Sequence, residues 1–342
     1  MGVRLFLLIG MLLLGGGCKL MDIVDEGQSS DRIDLHLTKQ SLLLDHAGGY
    51  LYVSVGNLGL DIIDISNEKA PRVIKNYRTE DRTYAISRSG ERLFLANGTE
   101  GVELLDISDP RIPRRIAYIR TDENATAVAT SADARRLAVG TAEGVRLYDL
   151  DRIDQPRYLG RFDTNGTVYD LQFSPDGTRL YLANFSYGIE LLDLSSVSRI
   201  ARLDALPLEG SACDIAADFT RQRLYVASLT SALKTIDIAD RDKLEILQRY
   251  DAHDGSRIWE SAGGVQFDRL YLAKGEAGIE IVENARSADP APLGSYDTNG
   301  TARGIAVNAA ETRAYVADGE AGLKIVDISD KKRPERIGTV KF

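Results

Sequence analysis

The sequence predicts an all-β fold, a single seven-bladed β-propeller of four-stranded antiparallel blades, and three observations carry that expectation. Seven self-similar segments recur at near-constant spacing, each holds two strand patterns joined by a tight turn, and the repeats lack helical periodicity. The segments open with YLYVSV at Tyr50, RLFLAN at Arg92, RLAVGT at Arg136, RLYLAN at Arg179, RLYVAS at Arg223, RLYLAK at Arg269 and RAYVAD at Arg313. Their starts lie 42 to 46 residues apart, which is too long for one coil of a β-helix and suits a propeller blade.

Each opening run is followed by a second one: LDIIDIS, VELLDIS, VRLYDL, IELLDL, LKTIDI, IEIVEN and LKIVDIS. The turn between them holds glycine at one position in six repeats, Gly59, Gly101, Gly144, Gly188, Gly278 and Gly322, with Ala232 in the fifth. Glycine there fits the positive φ that tight hairpins need. The second run is apolar on both faces in places, as at Val102, Leu104, Leu105 and Ile107, so both faces of the sheet must be covered. Blades stacked around an axis provide that cover.

A small residue recurs near the end of the first run, Ser54, Ala96, Gly140, Ala183, Ala227, Ala273 and Ala317, as crowding between blades requires. An acidic residue closes the second run: Asp64, Asp106, Asp149, Asp193, Asp237, Glu283 and Asp327. These carboxylates are expected to form turns by accepting backbone N–H bonds where the strand ends. Pro71, Pro110, Pro156, Pro290 and Pro334 stand just beyond. Further strand patterns flank the hairpins, such as VYDLQFS before Arg179 and RYLGRFDT before Asn165, which makes four strands per unit. RIGTVKF at the C-terminus is expected to complete the seventh blade, with Ile33 to Leu37 packing at the seam.

Ahead of the repeats, Arg4, the apolar run Leu5 to Leu14, Gly15, Gly16, Gly17 and Cys18 follow the order of a secretory signal. The run is too short to span a bilayer comfortably. A cysteine directly after small residues resembles the bacterial lipobox, although Gly15 stands where leucine is usual. The expected organisation is a signal peptide over 1–17, lipidated Cys18 with a tether over 18–32, and the propeller over 33–342. Lys19 after the cysteine favours the outer membrane or cell surface, with a lipid anchor as the sole membrane contact.

The net charge of −9 and the scattered basic residues exclude a nucleic-acid partner, because phosphate binding needs a cationic surface. Two cysteines, Cys18 and Cys213, make no disulfide framework, and with neither CxxC nor CxxCH there is no support for zinc ribbons, thiol redox chemistry or attached haem. Cys213 is expected to be buried.

At LDIIDISNEKAP, VELLDISDP and LKIVDIS the chain resembles the LVIVD repeat family, whose name spells the apolar run and its terminal aspartate. The resemblance covers about residues 40 to 342. It implies an exported, often surface-attached propeller of bacteria or archaea, and it brings no catalytic residue with it. A WD40 reading is weaker: the Gly-His and Trp-Asp signatures are missing, and Trp259 is the one tryptophan.

Propellers take ligands at the axis mouth, where loops enter the innermost strands. The residues ten positions before each repeat start are Gln40, Arg82, Thr126, Tyr169, Cys213, Trp259 and Arg303, and the next in chain are Ser41, Thr83, Ala127, Asp170, Asp214, Glu260 and Gly304. Arg82, Tyr169, Asp170, Asp214, Trp259, Glu260 and Arg303 therefore form the candidate ligand site, a mixture able to hydrogen-bond and stack on a polar ligand. Asp170, Asp214 and Glu260 suggest calcium, but carboxylates on separate blades are weak evidence for it, and no metal or cofactor is expected. DTNGT occurs at Asp163 to Thr167 and again at Asp297 to Thr301, read as turn chemistry.

His36, His46 and His253 form no HExxH, and neither a P-loop nor GxSxG occurs. The expectation is a non-enzymatic envelope scaffold that binds an envelope or extracellular protein or a glycan. Two alternatives stay open: small-ligand or glycan binding at the channel mouth, and a metal-dependent enzyme of the propeller lactonase or lyase type.

Overall fold

The computed structural model describes residues 42–44, 49–196, 199–230, 232–252, 254–264, 267–287 and 289–342. The signal sequence, Cys18, the tether, Ile33 to Leu37, Gln40, Ser41 and all three histidines lie outside them.

The described chain folds into 28 strands in seven antiparallel sheets of four, with one 3-10 turn at Gly319–Ala321 as its only helical element. Each sheet is one uninterrupted stretch of chain. Blade 1 comprises β1 to β4 (Leu42–Leu44, Tyr50–Ser54, Leu60–Asp64, Arg72–Tyr77), and blade 7 comprises β25 to β28 (Gly304–Val307, Arg313–Ala317, Leu323–Asp327, Glu335–Val340). In between, the innermost strands start at Ala85, Ala125, Asp170, Ala212 and Glu260 for blades 2 to 6. Innermost strands of successive blades are neighbours, and β1 adjoins both the inner strand of blade 2 and β25, so the ring closes. RIGTVKF supplies β28 as expected, and no described strand is exchanged across the seam.

Seven apolar clusters hold this ring, one at each junction between neighbouring blades. The third strand of blade 2 shows why its sequence reads apolar on both faces. Val102 and Leu104 pack toward blade 3, whereas Leu105 and Ile107 pack toward blade 1. Its register with the outer strand slips between Leu104 and Leu105, and the other six blades slip at the same place. The extra residue lies on the outer strand, Ile116 in blade 2, and a bulge of this kind increases local twist, while alternation along the third strand gives it two interfaces. The junction of blades 1 and 7 is made by Leu51, Val53, Ile63, Tyr315, Leu323 and Ile325, with the Arg313–Glu68 ion pair at 2.6 Å beside it.

The small-residue column is fully buried, and a Cβ on Gly140 would stand 2.9 Å from both the Ala127 Cβ and the Val168 Cγ1. At the hairpin turn Gly101 has φ +90, and a Cβ there would come within 2.2 Å of the Ile119 carbonyl oxygen. The closing carboxylates act as turn-formers: Asp106, Asp149, Asp193 and Asp327 each accept the N–H two residues on at 2.8–2.9 Å. That bond holds their carboxyls below the usual range.

One feature of these strands is unlike the rest of the apolar run. The residue three before the closing acid of the third strand is ionisable in every blade, Asp61, Glu103, Arg146, Glu190, Lys234, Glu280 and Lys324, and all seven are buried. Charges out of water need partners. The residue following the second strand supplies several of them: Asn97 faces Glu103, Asn184 donates to Glu190 at 2.7 Å, and Lys274 pairs with Glu280 at 2.6 Å. Blade 7 reverses the polarity of blade 6, with Asp318 3.7 Å from Lys324.

Candidate functional site

On one face of the ring, here the top, each outer strand leads into the next inner strand and each second strand turns into the third. Tyr169, Trp259 and Arg303 stand in equivalent positions there. Their N–H groups donate to Ala183, Ala273 and Ala317 at 2.8–2.9 Å, in the register that heads the inner strands of blades 4, 6 and 7.

Arg82 does not share that register. The equivalent residue of blade 2 is Tyr84, whose N–H donates to Ala96 at 2.8 Å. Only two residues separate the first two strands of blade 2, Ala85–Ser89 and Arg92–Ala96, against five in blade 4 between Asp170–Phe173 and Arg179–Ala183. Counting back from the repeat start therefore overshoots there. Arg82 lies beside the mouth, buried, with its Nε donating to Asn57 at 2.9 Å and its guanidinium 5.7 Å from the Tyr84 ring.

The three acids have a different task from the one their charge suggests. Asp170 accepts the Ile215 N–H at 2.9 Å, Asp214 accepts the Ser261 N–H at 2.8 Å and its hydroxyl at 3.0 Å, and Glu260 accepts the Ile305 N–H at 3.2 Å. Each carboxylate thus caps a donor on the next inner strand, a donor that would otherwise be buried without a partner. Thr126 crosses the preceding junction in the same way, its hydroxyl donating to the Val168 carbonyl at 2.7 Å. The result is a run of joints linking the inner strands of blades 3 to 7. Among the described residues no three of His, Cys, Asp and Glu gather to hold a metal ion.

Trp259 and Arg303 come together in one cavity of about 520 Å³ over blades 6 and 7, lined also by Ser256, Arg257, Lys274, Gly275, Glu276 and Thr301. The Arg303 guanidinium lies 5.6 Å from the Trp259 ring, a cation–π arrangement that fixes both. Gly275 has φ +61, and a Cβ on it would press to 2.9 Å from the indole Nε1, so the tryptophan fits only against glycine. Lys274 forms the floor, held by Glu280 at 2.6 Å and by Asp254 at 2.9 Å. Cys213 is buried as expected, its Sγ 3.4 Å from the Ile258 carbonyl oxygen.

Blade 4 carries a feature the sequence reading missed. Phe185 stacks on Tyr169 with ring centroids 4.8 Å apart and planes at 20°. Its backbone has φ +45, whereas the equivalent residues of blades 1, 2, 6 and 7 are Gly56, Gly98, Gly275 and Gly319 at φ +54 to +61. A non-glycine residue in this region costs roughly 1–2 kcal/mol, and an aromatic pair returns roughly 0.5–1.5 kcal/mol. Folding alone gains little from Phe185.

Next to the seam, Asp318 is fully buried, accepts the Thr298 hydroxyl at 2.5 Å, and burial pushes its carboxyl up to about 6. The unfolded carboxyl titrates near 3.8, so this group's contribution to stability is whole below about pH 4 and is lost as pH rises through about 6. An Asp318→Asn variant should therefore gain stability relative to the parent as pH rises across that window. Urea unfolding at several pH values checks this, and a pH-independent difference would refute it.

The LVIVD repeat matches residues 46–79 and 299–341, the first hairpin with its outer strand and nearly the whole of the last blade. The chain is a seven-bladed propeller whose first and last blades carry LVIVD repeats. Among solved structures it is similar to the periplasmic gluconolactonase PpgL of Pseudomonas aeruginosa, with a TM-score of 0.72 and 14% identity over 85% of this chain and 95% of that one. No curated protein sequence matches it. At that identity the likeness is one of fold. It nevertheless corrects the expectation of a propeller that does no chemistry, because the similar ring of PpgL is that of a gluconolactonase. Missing P-loop, HExxH and GxSxG motifs are then no argument against catalysis on such a ring.

Proposed function

We propose that the cavity over blades 6 and 7 binds and hydrolyses a sugar-derived lactone. The observation that carries this reading is the convergence of an aromatic face, a guanidinium and a carboxylate, Trp259, Arg303 and Glu276, in one cavity of a ring shaped like a gluconolactonase. Trp259, 5% exposed beside the Arg303 guanidinium, gives the sugar ring an apolar contact. Arg303 donates to the lactone carbonyl oxygen, where negative charge develops as water adds. Glu276 accepts the proton of that water and returns it to the ring oxygen as the C–O bond breaks, leaving the regenerated carboxylate and an aldonic acid, which releases its proton to solvent as it becomes the aldonate.

D-glucono-1,5-lactone in a pH-stat, at a mildly acid pH where spontaneous opening is slow, tests the reading. Acid release well above the uncatalysed rate supports it, and a rate equal to buffer alone removes it. Trp259 is the single tryptophan of the chain, so its fluorescence reports occupancy of the cavity directly.

We also propose export and lipid anchoring at Cys18, with the propeller held at the outer membrane or cell surface to meet ligands from outside. A Cys18→Ala variant should leave the membrane fraction, and intact mass of the parent should carry acyl chains. A parent that is soluble, with the mass of an unmodified chain, would exclude the anchor. No helix among the described residues is long and apolar enough to cross a membrane.

A further inference from the structure

We propose that Tyr169 and Phe185 form a second binding site on the top face, a stacking shelf for the ring of a neutral sugar, built by residues none of which line the cavity of blades 6 and 7. Phe185 holds a left-handed backbone where four other blades use glycine. A residue kept in a conformation that folding disfavours points to a use for its side chain. Its ring lies nearly parallel to that of Tyr169, and both are partly open to solvent. Tyr187, two residues on in the same turn, is 47% exposed, and its ring lies against Gly166 of the first DTNGT loop.

Charge selects the occupant. The two segments that make the shelf, 165–169 and 184–188, contain no charged side chain, in a protein where 27% of residues are charged. The cavity over blades 6 and 7 has Arg257, Lys274, Glu276 and Arg303 in its walls. An anion or cation gains nothing at the shelf, whereas a pyranose offers an apolar C–H face to aromatic rings and hydroxyls to the Ser186 and Asn165 side chains at its edge. The inference does not rest on lactone hydrolysis, since a neutral glycoside needs neither the carbonyl chemistry nor the guanidinium.

Cellobiose, which has no lactone and no carboxylate, is the probe, and saturation-transfer NMR on the full-length protein is the measurement. Saturation should pass from the protein to the sugar ring protons. Phe185→Gly should weaken binding by at least about tenfold while the melting temperature stays the same or rises, because glycine relieves the backbone. Tyr169→Leu should weaken it likewise, and Trp259→Ala should leave it intact. Absence of transfer in the parent overturns the proposal. So does binding unchanged in Phe185→Gly, loss of binding in Trp259→Ala, or displacement of cellobiose by N-acetyltyrosinamide at lower concentration than by methyl glucoside, which would make the shelf an aromatic-peptide site.

Discussion

Replacing Arg303 by methionine should lower lactone turnover by about a hundredfold or more while the ring stays folded. Removing one donor aimed at a developing oxyanion typically costs 10²–10³ in rate, about 3 kcal/mol of transition-state stabilisation. Methionine keeps most of the apolar stem that covers Trp259, and the strand bond from the residue 303 N–H to Ala317 is a backbone bond that the change leaves alone. Arg303→Lys should recover little, because an ammonium keeps the charge but neither the plane that lies over the indole nor the forked donors. The decisive pattern is a fall in kcat with Trp259 fluorescence still responding to gluconate. Unchanged turnover in Arg303→Met would move the chemistry out of this cavity altogether.

The second large effect concerns stability and comes from the buried charges. Glu280 is 6% exposed, accepts the Lys274 ammonium at 2.6 Å and also accepts the Tyr250 hydroxyl from the neighbouring blade. Glu280→Ala takes from the buried Lys274 ammonium one of its two carboxylates, leaving Asp254, and from the Tyr250 hydroxyl its Glu280 acceptor, and breaking such a buried pair costs about 3–5 kcal/mol. Denaturant unfolding should register a loss of that order. Removing the whole network with Lys274→Met, Glu280→Leu and Tyr250→Phe should restore most of it, since an apolar substitute of similar volume escapes the desolvation cost. If the triple variant is as unstable as the single one, the polar network contributes packing that apolar side chains cannot replace.

Much of the architecture was legible because the period is written into the chain. The glycine, small-residue and aspartate columns mark one turn, one crowded interface and one strand end per blade, so seven copies give seven blades without any tertiary information. Column counting failed where the spacing changed: from the head of the inner strand to the repeat start blade 2 is two residues shorter than blade 4, Tyr84 to Arg92 against Tyr169 to Arg179, which put Arg82 where Tyr84 belongs. Residue type also failed to reveal that Asp170, Asp214 and Glu260 spend an oxygen on the next blade, because a carboxylate reads the same in a joint as in a ligand site.

The ionisable residue three before the closing acid stands in every repeat, inside what otherwise reads as an apolar run. Its signal was visible: seven charged residues at one position of a strand with covered faces demand buried partners, and the residue after the second strand supplies an amide in blades 2 and 4, Asn97 and Asn184, and the opposite charge in blades 6 and 7, Lys274 and Asp318. Phe185 had a signal too. Gly56, Gly98, Gly275 and Gly319 repeat at its position, and the break in that series was the clue.

Every sheet is a contiguous piece of chain, and among the described residues the first and last blades meet through side chains, so six junctions of the circle carry a loop of chain and the seventh closes by packing. Such an object is modular in the mechanical sense. A gene for it could be cut at any of the loops between outer and inner strands and rejoined through its old ends, and the product would assemble the same circle from a different starting point. Mouth residues such as Trp259 and Phe185 could then be varied one module at a time, with the carboxylate joints of blades 4 to 7 keeping those neighbours in step.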